Sequence, residues 1–109
     1  MVEYYEMINH TNSSDSEEDV IELYSSKEEP KEIIEIHITK VTNAGILKAY
    51  IEREKIAEIP TEGLNIQNSL VIPIGAKIPE GQKFKLTLQN VTSGTNAQVI
   101  GYVRYHIGT

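Results

Sequence analysis

The chain has 109 residues, a formal net charge of −6 and no cysteine, which leaves room for one domain and excludes a disulfide framework or thiolate metal sites. Its first residues, Met1-Val2-Glu3-Tyr4-Tyr5-Glu6, lack the basic and apolar regions of a secretory signal. No run reaches the ~20 apolar residues that span a bilayer, so a soluble chain without membrane contact is expected.

Charge is divided along the chain. Residues 1–35 carry eleven acids against two lysines, and residues 36–109 carry eight bases against five acids. The two parts can attract each other within one chain or between copies, and the few scattered excess bases argue against nucleic-acid binding.

Val2 to Ile8 contains the strand formers Val2, Tyr4, Tyr5 and Ile8, and residues 9–19 are polar without periodicity, as in a loop or linker. An acidic N-terminal arm, residues 1–19, is therefore expected ahead of a domain at 20–109. Val20 to Tyr24 reads as a short strand, and residues 25–30 as a turn that Pro30 ends. In Glu32 to Val41, period two places Ile34, Ile36 and Ile38 on one face. After a turn at 42–45, in which Gly45 can take positive φ, Ile46 to Glu54 alternates Leu47, Ala49 and Ile51 against Lys48, Tyr50 and Glu52. These two runs read as a hairpin, although helix formers between Leu47 and Ile59 make a helix the competing expectation.

Residues 61–67 read as loop, and 69–74 as a strand weakened by Pro73. The clearest alternation is Lys83 to Val91, with Phe84, Leu86 and Leu88 inward. Turn residues bound it on both sides, and with residues 97–107 it would make a second hairpin. Six to eight such strands predict an all-β, antiparallel β-sandwich, jelly-roll or Ig-like. The expected core is Ile34, Ile36, Ile38, Leu47, Ile51, Phe84, Leu86, Leu88, Val99 and Val103.

Few residues suggest reaction chemistry, and neither a nucleophile elbow nor a cofactor motif is present. His37 and His106 would approach each other if their strands paired, although no carboxylate stands at ligand spacing and solvated strand-face histidines are the plainer reading. Asp15-Ser16-Glu17-Glu18-Asp19 has the oxygen density of a calcium loop without its glycine bend, so a hydrated acidic loop is expected. Ser14 and Ser16 precede acids in a pattern that acidophilic kinases accept. Asn9, Asn12 and Asn90 match glycosylation acceptors, read as chance in the absence of a signal peptide. Six of the seven aromatics are tyrosines. Tyr50 and Tyr102 have the parity opposite to the core and are candidates for a contact surface.

Set in order, Glu22-Leu23-Tyr24 leads into Glu32-Ile33-Ile34-Glu35-Ile36-His37-Ile38-Thr39. Then come Ala49-Tyr50-Ile51 with Lys55-Ile56-Ala57, Leu70 to Ile74, Ile78-Pro79-Glu80-Gly81-Gln82-Lys83-Phe84, and Gly101-Tyr102-Val103-Arg104-Tyr105. Over about residues 20–107 this order resembles the small β-sandwich modules of tailed bacteriophages and prophages. The chain departs from them at Ile51-Glu52-Arg53-Glu54-Lys55, where a glycine-bearing turn is expected, and residues 1–19 have no counterpart.

The resemblance implies a non-enzymatic virion structural protein with no catalytic residues or cofactor, such as a capsid decoration protein, head fibre, or tail or baseplate part. Its partners would be capsid or tail proteins and further copies of itself. The arm is expected to be mobile in the free protein and to add as a strand to a neighbour, with Val2, Tyr4, Tyr5, Met7 and Ile8 as apolar anchors. Residues 15–19 would then meet a basic surface that includes Lys83, Lys85 or Arg104 of another copy. The alternative is a carbohydrate- or receptor-binding module that uses the tyrosine face. An enzyme of the cupin type, a weaker third reading, lacks the converging histidines.

Overall fold

Short runs of period two cannot bury an apolar face alone, so they must stack sheet on sheet. The computed structural model describes residues 2–14, 16–43, 45–61, 70–91 and 96–108. It contains β1 (Val2–Asn12), β2 (Glu18–Tyr24), β3 (Lys31–Thr42), β4 (Gly45–Ile51), β5 (Glu54–Pro60), β6 (Leu70–Ile78), β7 (Lys83–Asn90) and β8 (Ala97–Ile107). All pairings are antiparallel, in two four-stranded sheets ordered β1-β8-β3-β6 and β2-β7-β4-β5. The sheets pack face to face as a β-sandwich.

The pairing follows one rule: β4 with β5, β3 with β6, β2 with β7 and β1 with β8. The chain is thus one long antiparallel ribbon with its tip between β4 and β5. Rolling the ribbon adds the contacts β3 with β8 and β4 with β7. This connectivity is the jelly-roll alternative of the sequence reading.

Two expected hairpins are absent. β3 and β4 lie in opposite sheets, as do β7 and β8, so the segments after Thr42 and Asn90 cross between sheets. Among the described strands, β4 and β5 are the only consecutive pair joined within one sheet. The competing helix over 47–59 is this hairpin. Its tip is Glu52-Arg53, between the paired Ile51 and Glu54. The expected glycine is replaced by Glu52 in the left-handed region (φ 55°), where its amide donates to the Lys83 carbonyl (2.9 Å) and its Oε1 accepts from the Lys83 amide (2.9 Å). In the turn after β3, Asn43 takes positive φ (61°) in place of Gly45, which is already within β4. The expected loops at 61–67 and 92–96 fall almost wholly outside the described residues.

Between the sheets lie Ile36, Ile38, Leu47, Phe84, Leu86, Leu88, Val99 and Val103, all buried as their parity requires. Ile51 is half-buried against this core. Ile34 is a correction: Ile33 is buried in its place, followed by Ile36, Ile38 and Val41. Against β8, β3 carries an extra residue between Ile33 and Glu35 and another between Ile38 and Lys40. Each bulge resets the alternation, so inward positions fall three apart, then two, then three.

Residues 2–12 are also a correction, because they form no separate arm. β1 pairs with β8 along its whole length, from Val2 opposite Ile107 to Asn12 opposite Ala97, without a register shift. A buried polar clamp holds the end of β1. The Asn12 Nδ2 donates to the carbonyls of Leu88 (2.8 Å) and Ser16 (2.7 Å), and the Asn90 Nδ2 donates to those of Asn12 (3.1 Å) and Ser14. Buried amides so fully bonded tie the segment after β1 to β7.

The bulge yields an ordered pair of mutants. Ile33→Ala should cost about 2 to 5 kcal/mol in urea unfolding, and Ile34→Ala less than about 1.5 kcal/mol. The reverse order would place the bulge wrongly. Gly101 has no room for a Cβ, which would overlap the His37 carbonyl oxygen of β3. Gly101→Ala should therefore cost about 1 to 3 kcal/mol or more by the same measurement.

Candidate functional site

The outward residues of the two sheets differ in chemistry. On the sheet β2-β7-β4-β5, charges meet within the chain: Glu22 with Lys83 (3.6 Å), Asp19 with Lys85 (3.7 Å), Glu17 with Lys48 (3.5 Å) and Glu58 with Lys55 (2.6 Å). Lys83 lies over the Tyr24 ring (5.8 Å) and Lys85 over the Tyr50 ring (5.5 Å). Of the acids expected to meet Lys83, Lys85 or Arg104 of another copy, Glu17 and Asp19 meet lysines of their own chain and Glu18 meets its His10, and Arg104 pairs in cis with Glu3 and Glu35. Asp15 lies outside the described residues.

Glu17 is the hub of this face. Its carboxylate accepts from Thr87 Oγ1 (2.7 Å) and the Tyr50 hydroxyl (2.9 Å) and pairs with Lys48. Burial alone would raise its pKa, but these donors outweigh it and hold the carboxyl below the usual range. Burial, then the Glu17 carboxylate, holds the Tyr50 phenol above its ordinary value. The Tyr50 hydroxyl is therefore already engaged.

The outer face of β1-β8-β3-β6 has an apolar and aromatic centre. Met7 is 74% exposed, Tyr5 60% and Val71 46%, with Ile100 and Tyr102 half-buried between them. The register sets Met7 and His37 on either side of Tyr102, and Tyr5 and Glu35 on either side of Arg104. The Tyr5 ring meets Tyr102 edge-on (5.5 Å), and the Tyr102 hydroxyl lies 2.7 Å from His37 Nδ1. Tyr5, Met7, Thr39, Ile100, Gly101 and Tyr102 line a groove of about 570 Å³. At one end stand the Arg104 pairs with Glu3 and Glu35 (3.2 Å), and at the other Gln98 bonds Asn9 (3.3 Å). A polar rim around an apolar centre is the anatomy of a protein contact surface.

The candidate residues divide accordingly. Tyr5, Met7 and Tyr102 share this face. Val2 and Tyr4 are exposed on β1, but Tyr4 has the opposite parity and stacks on Tyr105 (5.6 Å). Ile8 is no anchor for a partner: it is 1% exposed, opposite Gly101. Tyr50 lies on the other sheet, so the structure does not bring it together with Tyr102. Ile100, Thr39 and Val71 were not singled out from sequence, and His37 only as a metal candidate, although Ile100 shares the parity of Tyr102. Thr39 faces the groove by the same alternation that turns His37 outward two residues before it.

The other candidates do not converge. β3 and β8 do pair, but His37 faces Tyr102 whereas His106 faces Glu32. That separates the two imidazoles by roughly 13 Å along the strands. Glu17, Glu18 and Asp19 turn to different partners, Glu18 to His10 (3.0 Å), and no described group of three or more His, Asp or Glu is placed to hold a metal. Ser14 Oγ donates to Glu18 Oε2 (2.9 Å). Asn12 and Asn90 are buried in the clamp, while Asn9 is exposed. Comparison with protein-family models, with curated proteins and with solved structures returned no match.

Because the Glu17 carboxyl is held below its usual range, its contribution to stability is present above about pH 4.5 and is lost as pH falls through the folded value. Glu17→Gln should remove that part of the acid sensitivity, a difference below about 1 kcal/mol for so exposed a group, read from urea unfolding at pH 7 and pH 3.5. Equal acid losses in the two proteins would remove Glu17 from this role.

Proposed function

We propose that the chain is a non-enzymatic virion accessory protein that adheres to a capsid or tail surface through the outer face of β1-β8-β3-β6 and works as a homo-oligomer. The observation that carries this reading is the division between the two outer faces. One has its charges paired within the chain, and the other leaves Tyr5, Met7 and Val71 exposed around a groove. Covering such side chains gains about 1.5 to 3 kcal/mol each when burial is complete, whereas exposed ion pairs are worth little. Eight-stranded jelly rolls recur in viral capsid and lectin domains, which is support by architecture alone.

The test is binding of the purified chain to particles, and to separated capsids and tails, of the phage or prophage that encodes it. Val71→Asp and Tyr102→Ala should each weaken binding about tenfold or more, and Lys55→Ala on the opposite face less than about twofold. Unchanged binding in the first two variants would overturn the reading. So would an absence of particle binding combined with saturable binding to soluble glycans, the outcome expected of a carbohydrate-binding module.

A further inference from the structure

The two sheets end in four edge strands, β1, β6, β2 and β5. Three carry features that discourage pairing with another chain. β6 contains Pro73 and the left-handed Gly75 (φ 60°), with a register shift against β3. β2 is shifted between Asp19 and Ile21, and β5 has a shift opposite Ala49/Tyr50 and ends at Pro60. β1 has none of these: it is eleven residues long, free of proline and glycine, unbulged, and exposed at Val2, Tyr4, Tyr5 and Met7. Along the side away from β8, no described strand pairs with it. A long, straight edge of this kind is a template for a further strand.

We infer that β1 is a self-pairing edge, through which two copies of the chain join antiparallel about a two-fold axis at Met7. Three observations select a second copy. Met7 is the midpoint of Val2–Asn12, so this register pairs the whole strand with itself. It opposes no two like charges: Glu3 faces Thr11 and Glu6 faces Ile8 of the second copy, whereas a two-fold at Glu6 would set glutamate on glutamate. It also keeps Tyr5, Met7 and Asn9 on the outer face in both copies. The groove beside β1 is then continued by Tyr5 and Met7 of the second copy, giving one docking surface across an eight-stranded sheet. This inference rests on the docking reading above for its purpose, but not for its test.

The chain has no cysteine, so single substitutions give clean cross-linking probes. At the two-fold, opposed α-carbons lie about 4.5 to 5.5 Å apart, within the span of a disulfide. The Met7→Cys chain should therefore oxidise to a covalent dimer. Thr11→Cys, on the same face, would place its sulfurs roughly 27 Å apart and should remain monomeric. Light scattering should give a dimer for the unmodified chain and a monomer for Met7→Lys, since an edge lysine resists pairing. Failure of Met7→Cys to cross-link, equal cross-linking at both positions, or a monomeric unmodified chain would each overturn the inference. Val71→Asp lies on the far edge strand and separates the two proposals: unchanged particle binding in that variant sinks the docking reading, whatever the cross-linking shows.

Discussion

The structure depends on β8 lying between β1 and β3. The chain's last strand closes the sheet that its first strand begins, which is the most distant pairing in the ribbon. That closure requires a close backbone approach at Gly101, where the His37 carbonyl occupies the space a side chain would need. Ile8 lies opposite Gly101 on the other side and is buried there. Because the pairing joins residues at opposite ends of the sequence, loop-closure entropy must be overcome before it contributes, a topology that folds slowly.

The same closure orders the acidic segment. Once β1 is held, Asn12 lies where its amide reaches the Leu88 carbonyl, and Asn90 reaches back to Asn12 and Ser14. The chain then turns across to β2, so that Glu17, Asp19 and Glu22 come over the lysines of β4 and β7. Part of the charge division along the sequence is thus neutralised between neighbouring strands, and a net charge of −6 remains. Each exposed pair adds little, but together they leave one outer face with its charges satisfied. The opposite face has no such ladder at its centre, where Tyr102 is set by Tyr5 and His37 and flanked by Met7 and Ile100. This chemical asymmetry distinguishes the two outer faces of the sandwich.

Edges show a related asymmetry. Prolines, bulges and left-handed residues interrupt β6, β2 and β5, and nothing comparable interrupts β1. Pro73, a weakness in the sequence reading of β6, is tolerated because an edge strand needs no ladder donor on its outer side.

The sequence by itself determined the strands, the all-β class and most of the core. A side chain's face in a strand depends on the parity of its position, and Phe84, Leu86, Leu88, Val99 and Val103 obey it without interruption. Tyr102 on β8 was legible for the same reason, whereas on β1 Tyr5 and Met7 were grouped with Tyr4 and Ile8 without regard to parity. Only the tertiary structure decided which strands pair, because parity is silent about neighbours: the supposed hairpins β3–β4 and β7–β8 are crossings between sheets. It also decided that Ile33 is buried and Ile34 is not, since a bulge is imposed by the partner strand's register. Likewise Tyr50 and Tyr102 share outward parity but belong to different sheets, and Ile8 became core because it lies opposite a glycine of the last strand. Local alternation is a property of neighbouring residues, whereas sheet membership and register come from contacts between residues far apart in the chain.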